Sequence, residues 1–431
     1  MEEMANQVKK TTMDGNERLW NANYWKVMTA NFSMAFSFYL LTPLLPLYLS
    51  ENFNATKDMI GLVLSGYTLT ALLVRPLSGY VADSFPRKKV LLASLFVYFL
   101  CFGTYLLAST LLLFAIVRTL HGAPFGSASV ANSTMAIDVL PSSRRNEGIG
   151  YYGLSNNIAT AIAPTVGIFV YRYIHNFDIL FWMAFAIAGL GFFVNTTIQP
   201  RERQVLKDKK AISLDRFFLV KGWMLALNMI CFGLCYGVLS NYLAIYSKET
   251  MGITTGTGTF FLLLSLGLIL SRLQGVKALR KGRLTHNAGE GIVISTIGYA
   301  LFVLVPHEVG YYGSALLIGL GNGHMWPAFQ NMIINIANNN ERGTANSTLL
   351  TSWDLGVGFG VLLGGFVVEF FDYTTAFWSI VAVHIVGLLL FFAATKKFFL
   401  LRFARKQEEI NSSQAVHPSL NDTTRESLSS K

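Results

Sequence analysis

Twelve apolar stretches of about 18 to 27 residues constrain this 431-residue chain more than any other feature. Each is long enough to cross roughly 30 Å of hydrocarbon at about 1.5 Å per residue. Their cores run over 26–49, 59–82, 89–109, 111–137, 148–171, 179–198, 222–247, 256–279, 288–305, 309–336, 346–369 and 375–395. Backbone polar groups in lipid must be satisfied within their own segment, so the spans are expected to be helices. Only 13% of the residues are charged, against roughly 25% in ordinary soluble domains, which excludes a soluble globular class. The residues before the first span are polar and that span lacks a small-residue cleavage site, so no removed signal peptide is expected.

The net charge of +10 would point to a polyanion partner if it were spread over one surface. It is not. With the N-terminus inside, 28 of the 34 Lys and Arg fall on the cytoplasmic side, Lys57, Arg172 and Lys248 fall outside, and Arg75, Arg118 and Arg272 lie within spans. The excess of base is a topology signal, and no nucleic-acid partner is expected. Cys101, Cys231 and Cys235 all fall in spans, leaving no disulfide framework. Two thiols one helical turn apart without further ligands make no metal site, so neither a metal nor a cofactor is expected.

An internal repeat organises the spans. At an offset of 197, Gly122 meets Gly319, Gly126 meets Gly323, Arg145 meets Arg342, Ser155 meets Ser352 and Gly167 meets Gly364; at 196, Gly79 meets Gly275 and Arg87 meets Arg283. Six spans per half is an even number, so both halves enter from the same side as a parallel repeat. The expected fold is an all-α membrane protein of twelve transmembrane helices in two six-helix bundles. Its expected parts are a cytoplasmic N-terminus at 1–24, a first bundle at 25–198, a cytoplasmic linker at 199–221, a second bundle at 222–395 and a cytoplasmic tail at 396–431. The tail's polar, Ser-rich composition predicts disorder, with Phe398 to Arg405 lying against anionic headgroups.

The segment Arg75 to Lys89 closes the second span with Gly79, Asp83, Arg87 and Lys88 in a fixed pattern. It resembles the signature loop between the second and third spans of major facilitator superfamily transporters, with Ser84 where a basic residue is usual and Pro86 where Gly is usual. The second copy, from Gly275, regains the Gly at Gly282 but has Leu279 in place of the Asp. The resemblance implies that Gly79, Asp83, Arg87 and Lys88 form a gate, with Asp83 meeting the N-terminal end of the eleventh span near Thr344 to Ser347, a charge–dipole contact worth about 0.3 to 2 kcal/mol. In span four, Arg118, Leu120, His121 and Gly122 are similar to a second family pattern, with His121 in place of Gln. In span five, Pro164 and Gly167 loosely resemble a motif of antiporters, with Ala163 in place of Gly.

Deep polar residues mark a translocation path, because the bilayer penalises them unless they line water or pair. Arg118, His121, His324 and Asp354 are the candidates for substrate binding or proton coupling, each with helix packing as the alternative reading. Asn31, Tyr39, Asn322, Trp326, Gln330 and Asn331 are candidate cavity residues. Ser37 and Thr42 share the polar side of span one, where Pro43 and Pro46 offer a kink. His307-Glu308 lacks the second His of a zinc-protease helix and no phosphate-binding glycine loop is present, so no enzyme is expected. The expected function is a secondary carrier of a small organic solute, working by alternating access with proton-coupled efflux. Proton-coupled uptake is the alternative, and a non-transporting receptor or sensor of the same fold a more distant one. Arg118, His121 and His324 would favour neutral or anionic amphipathic solutes over cations. The expected setting is a bacterial inner membrane, as a monomer with both termini cytoplasmic.

Overall fold

Short side-chain caps and left-handed residues cut the chain into rods. Asn21, Thr56, Thr110, Asn176 and Asp372 each accept a hydrogen bond from a first-turn backbone N–H of the helix that follows, satisfying donors that no helix can satisfy by itself. Asn54, His175 and Gly252 stop helices at positive φ. A computed structural model describes residues 18–199, 217–253 and 256–415. Its helices are α1 (Ala22–Leu41), α2 (Leu45–Phe53), α3 (Lys57–Ser84), α4 (Arg87–Tyr105), α5 (Leu111–Val139), α6 (Arg145–Ile174) and α7 (Phe177–Thr196). After the linker come α8 (Trp223–Met251), α9 (Thr257–Arg280), α10 (Leu284–Leu304), α11 (Glu308–Ile336), α12 (Arg342–Phe370), α13 (Tyr373–Leu390) and α14 (Lys396–Ala415). Among the described residues there is no strand.

The first span is broken rather than continuous. α1 and α2 meet at 44° where Pro43 and Pro46 remove two backbone donors. Ten of the helices are long and apolar enough to cross a membrane, and up to eleven if this bent pair counts as one. α11 falls short of that apolarity because it carries Asn322, His324, Gln330 and Asn331, all buried. A helix can hold such residues at membrane depth only when they face protein or water.

Glycines set how closely the rods pack. A Cβ at Gly126 would lie 2.8 Å from the Ala71 carbonyl, and one at Gly122 would collide with the Tyr67 carbonyl, so α5 lies directly on α3. In the second half Gly319 stands in the same way against the Leu264 carbonyl, bringing α11 onto α9. Gly122–Gly319 and Tyr67–Leu264 are both separated by 197 positions, so the repeat holds in packing as well as in sequence. The halves meet through α3 against α12 and α6 against α9.

The tail departs from expectation. Helix continues from α13 through a wide turn at 391–395 into α14, which runs to Ala415. Polarity there reflects amphipathic packing: Phe399 is buried, and Lys406 Nζ donates to the carbonyl oxygens of Asn335, at 2.8 Å, and Ala337 at the end of α11. A cation there offsets the negative helix terminus. Residues 1–17 of the expected N-terminus, 200–216 of the linker and 416–431 of the tail lie outside the described residues.

Candidate functional site

The polar residues of α1, α3, α5, α6, α8, α9, α11 and α12 converge on one cavity of about 340 Å³ between the halves. Asn31, Tyr39, Arg75, Tyr152 and Asn157 face it from the first half; Tyr236, Arg272, Asn322, Trp326, Gln330, Asn346, Trp353 and Asp354 face it from the second. Trp353 packs its ring against Trp326 at 5.2 Å and Tyr236 at 5.5 Å, forming an aromatic wall. Asn31 is fixed by three neighbours. It donates to Ser155 Oγ at 2.8 Å and accepts from Tyr152 OH at 2.8 Å and from Asn132 Nδ2 at 3.4 Å.

Two arginines carry the cavity's charge. Arg75, on α3, pairs with Asp354, on α12, across the interface between the halves. Arg272, on α9, is 3% exposed and has no carboxylate partner among the described residues. The cavity therefore holds two cations and one anion. Buried charge in such a place is tolerated because water or a ligand can reach it, or because a partner neutralises it.

On one side of the Arg75–Asp354 pair lies a dense set of contacts between the halves. Asp83 Oδ1 accepts from Gly343 N at 3.0 Å, and Asp83 Oδ2 accepts from Thr344 N at 2.8 Å and Thr344 Oγ1 at 3.1 Å. Arg87 bridges Asp83 and Asp138, which also meets Arg342 at 3.2 Å. Asn346 donates to Thr134 Oγ1, Ser347 to the Arg75 carbonyl and Asn331 to the Asn146 carbonyl. All of these bonds sit at the end that carries the basic loops, and among the described residues no hydrogen bond or ion pair joins the halves at the opposite end. Gly79 makes the approach possible. A Cβ there would lie 2.6 Å from Ser347 Cβ and 2.9 Å from the Gly343 carbonyl. Lys88 is partly exposed and makes no ion pair with a described residue. Beside this cluster Lys221 meets Glu341 at 2.6 Å. Burial pushes the Glu341 carboxyl up, but bonds from Lys221 and the Asn338 N–H outweigh it and hold the carboxyl below its usual range.

Of the residues singled out in the sequence, Asn31, Tyr39, Asn322, Trp326, Gln330 and Asp354 line the cavity. Arg118, His121, His324 and Asn331 do not. The Arg118 guanidinium lies 4.1 Å from the Tyr67 ring centroid and donates to Tyr105 OH at 3.2 Å. His121 meets the same hydroxyl at 2.8 Å, fully buried among Tyr98 and Phe102. Aromatic faces therefore shelter this charge inside the first bundle, outside the lining of the cavity. His324 shares Asn287 with its own backbone: Asn287 Nδ2 donates to the His324 carbonyl at 2.9 Å, and His324 Nδ1 meets Asn287 Oδ1 at 3.0 Å. That is a helix-packing arrangement. Asn331 donates to the Pro327 carbonyl within α11 as well as to Asn146. Arg75 and Arg272 are the residues that sequence reasoning passed over. Both were visible as cations inside spans, and the repeat offset of 197 that relates them was the unused signal.

A sequence model of the Major Facilitator Superfamily matches residues 27–307 and 289–408. The chain is similar to the staphylopine export protein of Staphylococcus aureus, with 24% identity covering 73% of this chain and 82% of that one. It is also similar to the quinolone resistance protein NorA of Staphylococcus aureus, with 22% identity over 76% and 84% of the two chains. The multidrug resistance protein MdtG of Proteus mirabilis is 23% identical over 86% and 95%. Among solved structures, the transporter FucP in its outward conformation superposes with a TM-score of 0.74 at 15% identity, covering 87% of this chain and 99% of that one. A bacterial homologue of the iron transporter ferroportin in an outward-facing state gives 0.74 at 14% identity over 87% and 100%. The likeness to both is one of fold.

Proposed function

We propose, since the chain belongs to the Major Facilitator Superfamily, that this multi-pass membrane transporter of a small solute exports an amphipathic organic compound in exchange for protons, from the cytoplasm of a bacterium across its plasma membrane. Both termini and the basic loops are cytoplasmic in this reading, and the protein acts as a monomer. The relatives whose names refer to export or drug resistance support the direction.

The Arg75–Asp354 pair carries the proposal. It is the ion pair at cavity depth that ties one half to the other, so neutralising Asp354 loosens the attachment of α3 to α12. With the basic end closed and the cavity open to the outside, Asp354 receives its proton from the external medium. Arg75 is then released, the contacts at the basic end separate, and the cavity faces the cytoplasm, where Asp354 returns its proton and solute enters. Gly79, Asp83, Arg87 and Lys88 form the gate that closes behind the solute, with Asp83 as the carboxylate that holds the positive end of α12. A ligand can bias such an equilibrium only through its differential affinity for the two states, and here the proton is that ligand. The test is flux in proteoliposomes with and without a pH gradient. Asp354→Asn is expected to lose gradient-driven accumulation by at least tenfold while retaining solute exchange. Full proton-driven accumulation in that variant would end the proposal.

A further inference from the structure

We propose that Arg272 and Asn157 form the binding site for a carboxylate group of the transported solute, an inference that rests on the transport reading above. At the repeat offset of 197, Arg75 maps onto Arg272 and Asn157 maps onto Asp354. The helices that carry them are related in the same way: α3 packs across the interface on α12, and α6 on α9. The molecule therefore has two pseudo-equivalent arginine sites at one interface. In one, Asp354 supplies the carboxylate. In the other, the corresponding side chain is a neutral amide.

The second site is unsatisfied on both sides. Arg272 Nε and Nη1 are buried with no hydrogen-bond partner among the described residues, and so is Asn157 Nδ2. The guanidinium lies on α6 beside Gly153, whose added Cβ would stand 2.8 Å from Arg272 Nη2, and Asn157 is one helical turn further along the same face. Both residues line the central cavity. Tyr24 and His324, which interact electrostatically with Arg272, bring no anion: Tyr24 OH donates to the Gly148 carbonyl and His324 is held by Asn287. Asp354 is engaged by Arg75. The buried unpartnered atoms of Arg272 and Asn157 are all donors, and their complement is an acceptor-only group that takes parallel N–H bonds from a planar fork, as a carboxylate does. The wall of Trp326 and Trp353 in the same cavity suits an apolar or aromatic body attached to that carboxylate.

The experiment measures affinity of the full-length purified protein for acid and amide pairs: benzoate and benzamide, 3-phenylpropionate and 3-phenylpropionamide, naphthalene-2-acetate and naphthalene-2-acetamide. At least one acid is expected to bind wild type tenfold or more tightly than its amide. Arg272→Gln is expected to bring the pair within twofold. Asn157→Asp is expected to do the same while raising Tm, because the new carboxylate closes the site from within as Asp354 closes its counterpart. Equal affinity for acid and amide across the panel, absence of binding by both included, overturns the proposal, as does an acid preference that survives Asn157→Asp. Flux separates this from the transport reading. Transport without an acid preference removes the anion site alone, whereas an acid preference that obeys both variants, with no flux, leaves the site and removes the carrier.

Discussion

Arg118 shows how a charge can be deep in a membrane protein and still lie outside the lining of the cavity. Its guanidinium is stacked on Tyr67, edges toward Phe38 at 5.6 Å and shares Tyr105 with His121. Such a contact is worth about 0.5 to 2 kcal/mol when desolvated, and it depends on the planar cation as well as on its charge. Arg118→Ala is therefore expected to lower the thermal stability of the purified protein and its abundance in the membrane. Arg118→Lys recovers only part of the loss, and the acid-over-amide preference of the remaining folded protein stays within twofold of wild type. A selective loss of solute affinity at unchanged Tm would show that the residue reaches the cavity after all.

At the scale of elements, the contact that matters most is α3 against α12. Gly79 and Gly343 face one another so closely that a Cβ on Gly343 would lie 2.7 Å from the Gly79 carbonyl. This approach brings Asp83 within reach of two backbone donors at the N-terminus of α12. Gly79→Val wedges the helices apart, because the obstruction is backbone and Cβ and not the flexible end of a side chain. Asp83→Asn leaves the approach intact but removes the charge that meets the helix dipole, a change of about 0.3 to 2 kcal/mol. Cysteines introduced at the basic end are expected to label faster in both variants, with the larger increase in Gly79→Val. Unchanged labelling with normal transport in both would remove this helix pair from gating.

The whole molecule is a pair of similar bundles joined at one end. The halves are linked from the Arg75–Asp354 pair down to the Arg87–Asp138–Arg342 cluster, so a reagent is expected to reach the cavity from the opposite side only. Leu350 lines the cavity without taking part in an ion pair. In a background free of Cys101, Cys231 and Cys235, Leu350→Cys is expected to react with an impermeant maleimide in right-side-out membranes at least tenfold faster than in inverted ones. The reverse ratio would mean that the resting state opens towards the basic end.

The sequence by itself determined the helical class and the repeat, because a lipid environment permits few backbone solutions. It also pointed to Gly79 and Asp83 as a unit, since a fixed local spacing survives folding. It could not rank the deep polar residues. Arg75, Arg118 and Arg272 look alike in sequence, each a lone cation in a span, and only tertiary packing separates one paired with Asp354, one enclosed by Tyr67 and Tyr105, and one left without a counter-ion among the described residues. His324 and Asn322 are two positions apart on α11, yet one is packed against Asn287 and the other lines the cavity, because residues two apart on a helix face different neighbours. The polar stretch after Lys396 has the composition of a disordered tail for a related reason: an amphipathic helix docked by Phe399 and Lys406 looks like solvated chain until the surface it packs on is known.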